Sequence, residues 1–385
     1  MTASFTILDA TRVLGFLLAQ VLIALSNVIL IRRLGGFPQC PRPPRVSVLV
    51  PARNEERDIE SCVKSLLVQD YPDFEVIVYD DDSEDRTPAI LSGMASERLR
   101  VITGTGRPPE WQGKAWACDQ LAQAASGDIL LFTDADTVHR PAALRCAVNA
   151  LEAERLDLVT AIIGNRAETF GEQLTVPFAP WSMITLLPQV VSRAMPRLNA
   201  FTTANGQFIL IRREAYRAIG GYGAVKNHAT EDIALAKLAR SRGCRVRLFD
   251  AVSLVTSRMY RGFAEARAGF SKNYFALFNY RLLVATFVWV WLMAITWYPL
   301  VVLISALVRG APGPEFGTAL LAVAAECLLW LIAARKCGFP LHVSLFYPAI
   351  ITVSSVIGVQ SIILAFRGKA MWKGRRLNGP RPRLI

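Results

Sequence analysis

Long apolar runs alternate with segments of mixed polarity along this chain. Val13 to Ile31 contains nineteen residues without a charge, which is just long enough for a helix to cross the hydrocarbon core of a bilayer. Three further runs follow later in the chain, over 282–308, 316–334 and 338–366, and the only charge within them is Glu326. The pattern predicts membrane helices at both ends of the chain and a soluble domain between them.

Basic residues flank these runs. Arg32 and Arg33 follow the first run directly, and the nineteen residues from Arg367 hold seven Arg or Lys and no acid. By the positive-inside tendency, this predicts an uncleaved anchor over residues 1–34 and a multi-pass protein of the cell (inner) membrane with its soluble domain in the cytoplasm. A cleaved signal peptide is the alternative, but the chain has no basic start and no small-x-small site closing the run.

The number of crossings near the C-terminus stays open at this level. Three complete crossings within 282–366 would place the basic tail, residues 367–385, outside the cell. If the tail is cytoplasmic, one run does not cross completely. The candidates are the run that contains Glu326 and the last run, which is broken at Pro348.

The middle of the chain, residues 45–257, alternates strands and helices in the way that is typical of a parallel α/β sheet. A helix is predicted over 56–69, after the first strand. Buried strands are predicted over 46–50, 74–79, 98–103 and 129–133. Acidic clusters follow the second and fourth strands, and ligands of such sheets bind at the carboxyl ends of the strands. We therefore expect a site at this edge.

Composition narrows the class of protein. The chain is 52% hydrophobic, 19% charged and carries a formal charge of +12, which excludes a disordered chain or a coiled coil. Its cations cluster beside apolar runs, which favours a membrane surface over nucleic acid. The seven cysteines form no CxxC pair and the three histidines show no metal-ligand spacing. Neither GxGxxG nor GxxxxGK[ST] occurs, so dinucleotide and P-loop sites lack support.

Two loops at the expected edge suit a nucleotide. Pro51-Ala52-Arg53-Asn54-Glu55 follows the first strand, and Asp80 to Asp85, which includes Asp81, follows the second. A carboxylate at a strand end can accept hydrogen bonds from a base N–H and from ribose hydroxyls. A solvated turn is the alternative for the acidic cluster.

The next acidic motif is suited to a divalent cation. Asp134-Ala135-Asp136 follows the fourth strand, and Mg²⁺ is typically held by one or two carboxylates together with phosphate oxygens and water. Lys114, within Trp111-Gln112-Gly113-Lys114, lies on a predicted turn from which its amine could reach a phosphate.

Thr230-Glu231-Asp232 opens an apolar-periodic segment. Helix capping by Thr230 is one interpretation of this motif, and it needs no catalysis. A general base at Asp232, aimed from the start of a helix into a cleft, is the other.

Arg258 and Arg261 are three residues apart, which would put them on one face of a predicted interfacial amphipathic helix over 258–281. They could clamp a diphosphate or meet lipid headgroups.

Two further segments are less specific. Residues 205–208 suggest a substrate loop, and residues 176–196, which hold four prolines, suit a lid, a membrane-dipping acceptor entrance or a core segment.

Taken together, these motifs resemble those of the membrane-bound family 2 glycosyltransferases of the GT-A fold. The resemblance runs from about Ser47 to Phe263 and rests on the order and spacing of the motifs. It implies an α/β GT-A nucleotide-sugar-binding domain with a mostly parallel sheet, plus N- and C-terminal transmembrane helices. A narrower resemblance, in residues 111–118, 258–263 and 372–375, is to bacterial transferases of apolar terpenoid acceptors, the diaponeurosporenoate (carotenoid acid) and hopanoid-associated glycosyltransferases.

The resemblance implies roles for the acidic residues. Pro51, Glu55 and Asp81 would bind the nucleotide. Asp134 and Asp136 would bind the ribose and the metal-diphosphate, with Asp136 as the ligand of a Mg²⁺ or Mn²⁺ ion.

It also implies the reaction. Asp232 would be the base, and Arg258 and Arg261, helped by Lys114, would hold the diphosphate. The implied activity is that of an inverting hexosyltransferase that moves one sugar from a nucleoside-diphosphate sugar, expected to be a UDP-sugar, to a lipid acceptor at the cytoplasmic membrane face. A polyprenyl-phosphate sugar or polysaccharide synthase and a non-catalytic nucleotide-binding membrane protein are the alternatives.

Two positions depart from the family pattern. Asp82 stands where the family usually has Gly, and Gly262 stands where its Gln/Arg-x-x-Arg-Trp motif has Trp. Processive polysaccharide synthases use that Trp near the acceptor, so its absence favours transfer of a single sugar. Both departures also favour the non-catalytic alternative.

Overall fold

The structure, a computed structural model, describes residues 9–195, 198–369, 371–373, 375–376 and 382–384. Its strands are β1 Val46–Ala52, β2 Phe74–Asp80, β3 Leu99–Thr103, β4 Ile129–Phe132, β5 Thr137–His139, β6 Leu158–Ile162, β7 Gly164–Asn165, β8 Ile209–Arg212, β9 Val246–Asp250, β10 Val255–Ser257, β11 Met371–Trp372 and β12 Arg375–Arg376. The four predicted strands are present within two residues of their predicted bounds.

The helices connect these strands and dominate both ends of the chain. They are α1 Ala10–Leu30, α2 Ile59–Leu67, α3 Thr87–Ser92, α4 Gly113–Ala124, α5 Ala143–Ala153, α6 Phe170–Gln173, α7 Phe178–Thr185, α8 Gln189–Ala194, α9 Arg213–Ala218, α10 Glu231–Ser241, α11 Phe263–Asn273, α12 Leu282–Arg309, α13 Phe316–Cys337 and α14 Tyr347–Phe366. Short 3-10 helices cover Tyr222–Val225, Ala276–Phe278 and Leu341–Phe346.

Within the described residues, seven strands form a central sheet in the spatial order β3-β2-β1-β4-β8-β6-β9. The first four are parallel, β8 is antiparallel to both of its neighbours, and β6 and β9 are again parallel. Val48 at the centre of β1 lies opposite Val76 and Leu131, so the apolar residues of these strands share one core. The carboxyl ends of β1, β2 and β4 therefore meet at one edge, and the α/β prediction with a mostly parallel sheet is confirmed.

A small second sheet extends this edge. β10 pairs antiparallel with β5 and parallel with β7, which brings the segment after Ser257 next to the loop that connects β4 and β5. Ser257 accepts a hydrogen bond from Gln207 Nε2 at 2.9 Å. The sheet thus holds three chain segments that are distant in sequence around one point.

Four helices among the described residues, α1, α12, α13 and the segment Leu341–Phe366 that contains α14, are long and apolar enough to cross a membrane. Pro348 does not break the last of these. It lies in the first turn of α14, where a proline costs no hydrogen bond. Glu326 on α13 is 2% exposed, so it is buried among neighbouring helices.

The helix predicted over 258–281 is wrong in its extent. Gly262 at its amino end has a φ of 89°, a conformation that no helix continues through, so α11 begins at Phe263. Arg258 and Arg261 therefore precede the helix in an irregular segment and do not share a helical face. The interfacial character of α11 stays a prediction.

Residues 176–194 pack against the long apolar helices α1 and α13. Asn27 of α1 donates hydrogen bonds to the carbonyl oxygens of Ile184 and Leu187 at 2.8 and 3.0 Å, and the rings of Trp181 and Trp330 stack with centroids 4.8 Å apart. α7 is therefore fixed to α1 and α13, which argues against a lid. Pro196 lies outside the described residues.

Candidate functional site

A cavity of about 780 Å³ opens at the carboxyl edge of β1, β2 and β4. It lies in the size range of small-molecule sites. All nine residues singled out in the sequence contribute to its wall, namely Pro51, Glu55, Asp81, Lys114, Asp134, Asp136, Asp232, Arg258 and Arg261. Motifs separated by more than 200 residues thus converge on one space.

Glu55 lies in the loop that follows β1. Its carboxylate forms an ion pair with Lys373 from the C-terminal tail, and its backbone N–H donates to Thr87 Oγ1 at 2.8 Å. Burial raises the pKa of Glu55 to about 7, with a further contribution from nearby Asp136. The carboxyl group of Glu55 can therefore gain or lose a proton near neutral pH when a cationic partner such as Lys373 leaves or returns.

Asp81 follows β2 and is only 2% exposed. Arg375 Nη1 approaches its Oδ2 to 2.6 Å, and Arg53 Nη1 donates to its carbonyl oxygen at 2.6 Å. Burial raises the pKa of Asp81, while Arg375 and Arg53 oppose this shift. The next residue, Asp82, has a φ of 57°. Aspartate tolerates this left-handed conformation better than most residues do, which explains how it replaces the family's usual glycine.

The motif Asp134–Asp136 extends β4 into the cavity. Lys114 Nζ lies 2.5 Å from Asp134 Oδ1 and 3.7 Å from Glu231 Oε1. Burial lowers the pKa of Lys114, but these carboxylates outweigh it and hold that pKa well above its usual range. Lys114 is therefore a permanent cation that links the β4 loop to the start of α10.

Asp136 has fewer partners. Gln207 Nε2 donates to its Oδ1 at 3.3 Å, and burial together with Asp134 raises its pKa to about 6. A carboxylate whose ionisation is disfavoured in this way is stabilised by an added cation.

Asp232, in the first turn of α10, accepts hydrogen bonds from the backbone N–H groups of Gly206 and Ile233, both at 2.8 Å. Burial raises the pKa of Asp232, and Lys114 opposes the rise. The expected cap is wrong in one respect: Thr230 occupies the N-cap position but its side chain makes no capping hydrogen bond. Instead Glu231 is buried and pairs with Lys114, so the motif faces the cavity.

The segment before α11 is tied to buried Glu172. Arg258 pairs with Glu172 at 3.0 Å and with Glu168 at 2.6 Å, and the Gly262 N–H donates to Glu172 Oε1 at 2.7 Å. Arg261 pairs with Asp58 at 2.7 Å. Both arginines line the cavity, but each already has a carboxylate partner. The φ of 89° at Gly262 is strained for any side chain, so a tryptophan would not fit this backbone.

Sequence reasoning missed several residues of this site. Lys272, Lys373 and Glu231 line the cavity, and Glu172 and Arg375 hold lining residues in place. Glu172 had a detectable signal, because Thr169 and Glu172 form a complete capping box at α6. Glu231 belongs to the predicted motif Thr230-Glu231-Asp232, and Lys373 and Arg375 belong to the basic motif at 372–375, but none of the three was assigned a role in the site. Lys272 had no signal of its own. The suggested substrate loop, 205–208, does contribute Asn205, Gly206 and Gln207 to the wall.

Comparison with known proteins identifies this arrangement. Residues 47–220 match the family model described as "Glycosyl transferase family 2". The chain carries a glycosyltransferase family 2 domain. The predicted family 2 domain is thereby confirmed over these residues, and the matched segment spans β1 to β8 with Glu55, Asp81, Lys114 and the Asp134–Asp136 loop.

Curated proteins that are similar to this chain are glycosyltransferases. The 4,4'-diaponeurosporenoate glycosyltransferase of Staphylococcus aureus (strain USA300) is 28% identical over 232 residues. The version from strain MRSA252 is 27% identical over the same length. These 232 residues are 59% of this chain and 60% of the relative, so the chain aligns with less than two thirds of that protein.

A solved structure has the same fold. The mannosyltransferase PcManGT from Pyrobaculum calidifontis, determined in complex with GDP-Man and Mn²⁺, superimposes with a TM-score of 0.52 at 19% identity. The match covers 92% of this chain and 98% of that one, so it extends beyond the glycosyltransferase domain to the flanking helices.

The carboxylates of the glycosyltransferase domain fit a divalent metal held jointly with a ligand. No group of three or more His, Cys, Asp or Glu side chains among the described residues forms a complete protein cage. Asp134 and Asp136 offer hard oxygen donors at one point of the cavity. Mg²⁺ and Mn²⁺ suit such a donor set, with phosphate oxygens and water completing the coordination.

Proposed function

We propose that this protein is an inverting glycosyltransferase that moves a single sugar from a nucleoside-diphosphate sugar, a UDP-sugar by preference, to an apolar lipid acceptor such as a terpenoid. One observation carries the proposal: carboxylates and large apolar side chains line the same cavity. Most of its carboxylates belong to the loops that follow β1, β2 and β4. Its apolar wall contains Ala179, Met183, Phe270, Tyr274 and Leu277.

The nucleoside-diphosphate sugar binds beside the carboxylates of the loops after β1, β2 and β4. Pro51, Glu55 and Asp81 bind the nucleoside, since the buried Asp81 carboxylate can accept from a base N–H. Asp134 binds the ribose and Asp136 the metal, which when bound neutralises charge on the diphosphate leaving group.

Cations hold the diphosphate from the other side. Arg258, Arg261 and Lys114 border the cavity, and each can share its charge between its present carboxylate partner and phosphate oxygens. Arginine suits phosphate because its guanidinium donates two parallel hydrogen bonds. Their charge acts mainly as negative charge develops on the departing diphosphate.

Asp232 acts as the base. The two backbone N–H groups fix its orientation, and burial raises its pKa, which improves a carboxylate as a proton acceptor. An acceptor hydroxyl gives its proton to Asp232 while its oxygen forms the new bond at the anomeric carbon. The bond from that carbon to the diphosphate breaks on the opposite face, and the configuration inverts. A carboxylate acceptor has no proton to give, so it depends less on Asp232.

The acceptor enters from the membrane side. Met183 lies on α7 and Phe270 on α11, and both helices belong to the apolar core that also contains residues of α1, α12, α13 and α14. An acceptor with a long apolar chain can therefore keep that chain in an apolar environment while its polar end reaches Asp232.

The membrane arrangement follows from the ends of the helices. Lys336, near the end of α13, pairs with Asp250 of β9 at 2.9 Å and donates to the carbonyl oxygen of Ile31 at 3.0 Å. α1 and α13 thus end beside the catalytic domain, and α12 starts there. We propose that these three helices cross the membrane.

α14 differs because its start contacts α6 of the catalytic domain and its end contacts Phe275, just after α11. Before it, the His342 ring lies 3.0 Å from the Gln173 amide and the rings of Phe346 and Phe170 meet. At its end, the ring of Phe366 stacks on Phe275. α14 therefore stays in the leaflet next to the catalytic domain. This keeps the basic tail and the arginines after α1 on one side, the cytoplasmic side by the positive-inside tendency.

Metal-dependent turnover tests the proposed function. Purified protein in detergent is expected to release UDP from a UDP-sugar with Mg²⁺ or Mn²⁺, to lose this activity with EDTA, and to lose it in Asp136→Ala. Asp128→Ala, at the opposite end of β4 and exposed, is the matched control and should retain activity. Unchanged turnover in Asp136→Ala, or tight UDP binding by the wild type without any turnover, would contradict the proposal.

A further inference from the structure

The chain returns to the cavity after its last apolar helix. Met371 and Lys373 line the cavity, and the backbone of Met371–Trp372 pairs antiparallel with that of Arg375–Arg376. This short hairpin follows α14, which ends beside Phe275 and packs against α11. Lys373, from the basic motif noticed in the sequence at 372–375, is thus part of the site wall.

Lys373 is bound to the loop after β1 in three ways. Its amine pairs with the carboxylate of Glu55 and donates to the carbonyl oxygen of Asn54 at 3.2 Å. Its own carbonyl oxygen accepts from Arg53 Nε at 3.3 Å. Both its backbone and its side chain are therefore held at the nucleotide-binding loop.

Arg375 is bound to the loop after β2. Its guanidinium contacts Asp81 Oδ2 at 2.6 Å and Asp82 Oδ2 at 3.3 Å. The Asp81 side chain is 3% exposed, and a buried carboxylate without a cationic partner is strongly destabilised. The orientation and charge of Asp81 therefore depend on a residue 294 positions later in the chain.

The cavity needs these cations. Among the described residues its wall holds ten acidic and seven basic side chains, so a diphosphate would meet an excess of negative charge. Arg258 and Arg261 already pair with Glu172 and Asp58. Lys114 is shared by Asp134 and Glu231.

We infer that the segment after α14 completes the donor site. Lys373 binds the donor diphosphate, moving from Glu55 to phosphate oxygens, and Arg375 is a positioning residue that keeps Asp81 ionised and aimed at the nucleoside. The inference rests on the proposed function, because it takes a nucleoside diphosphate as the ligand. The donor site is thus formed jointly by the loops after β1 and β2 and by residues that follow the last apolar helix.

Equilibrium binding to the full-length protein in detergent separates the two roles. Isothermal titration with UDP and with uridine is run on wild type, Lys373→Ala, Arg375→Ala and Arg375→Lys. Loss of a charge-assisted contact is expected to weaken binding at least about tenfold. Lys373→Ala should weaken UDP and leave uridine unchanged, whereas Arg375→Ala should weaken both and Arg375→Lys should restore part of the loss.

Kinetics and a matched control complete the test. Lys369→Ala removes a tail cation that is exposed and does not line the cavity, and it should bind UDP as wild type does. The KM for the UDP-sugar should rise in Lys373→Ala and Arg375→Ala while the KM for the acceptor stays the same.

Three results would overturn the inference while leaving the proposed function intact. The first is an unchanged affinity for UDP in both Lys373→Ala and Arg375→Ala. The second is a loss of UDP affinity in Lys369→Ala as large as in these two variants. The third is tighter UDP binding after deletion of residues 367–385, which would show that the tail inhibits donor binding. Failure of the proposed function is seen separately, as absence of turnover in the wild-type protein.

Discussion

Glu172 holds the segment that carries Arg258 and Gly262 in place, so its replacement should lower the stability of the protein. Its side chain is 0% exposed. One oxygen accepts from Arg258 at 3.0 Å and from the Gly262 N–H at 2.7 Å. The other accepts from the backbone N–H groups of Glu168 and Thr169. In Glu172→Gln the negative charge is lost. One carboxylate oxygen is also replaced by an NH₂ group, which is itself a donor and cannot accept the hydrogen bonds that this oxygen receives.

The expected magnitude follows from the pKa. Burial opposes ionisation of Glu172, but the hydrogen bonds from Arg258 and the backbone outweigh it and lower the pKa from 4.5 to about 2. That difference corresponds to about 3 kcal/mol of folding free energy at neutral pH. Because the folded-state pKa is lowered, this stabilisation is complete above pH 4.5 and is lost as the pH falls from 4.5 towards 2.

Urea unfolding in detergent at pH 7 and pH 3 provides the assay. Glu172→Gln should lower the free energy of unfolding by about 3 kcal/mol at pH 7, and its difference from wild type should shrink at pH 3. Glu168→Gln is the control, since Glu168 forms a half-exposed ion pair with the same Arg258 and should cost less than about 1 kcal/mol. Equal losses in both variants, or a Glu172→Gln effect that is the same at both pH values, would refute this reasoning.

Three further predictions concern packing, the base and the membrane. In Gly206→Ala the new methyl group would lie 3.0 Å from Lys114 Nζ and 3.1 Å from Asp232 Oδ2, so kcat should fall several-fold in a turnover assay while the melting temperature stays close to wild type. In Gly358→Ala the methyl group would clash with the Trp289 ring, and the overlap between α14 and α12 should cost about 1–3 kcal/mol in urea unfolding. Finally, a peptide tag in the loop between α12 and α13 should be reached by antibody from outside intact spheroplasts, whereas a C-terminal tag should be reached only after the spheroplasts are opened. Labelling of both tags from outside would show that α14 crosses.

The strands that form the site could be predicted because their pattern is local. Val46 to Val50 and Phe74 to Tyr79 are short apolar runs that end in polar or acidic residues, and parallel strands present their carboxyl ends at a common edge. The position of Glu55 and of Asp81 at that edge then needs no further information. The same logic extends to Asp134 and Asp136 after β4.

Other parts of the site depend on contacts that leave no local pattern. β8 is inserted antiparallel between β4 and β6, which no run of residues in Ile209–Arg212 foretells. The helical face expected for Arg258 and Arg261 is absent because the φ of a single glycine, Gly262, ends the regular structure there. Pairing of Arg375 with Asp81 joins opposite ends of the chain, so it is visible only in three dimensions.

The central claim is that the acidic loops bind an activated sugar and pass it to an apolar acceptor. Mass spectrometry of lipids from cells that make the wild-type protein, the Asp136→Ala variant or no protein tests it most directly. We expect an apolar lipid that carries one additional hexose in the wild-type cells alone. Identical lipid profiles in the three strains, or products that carry a chain of sugars, would contradict it.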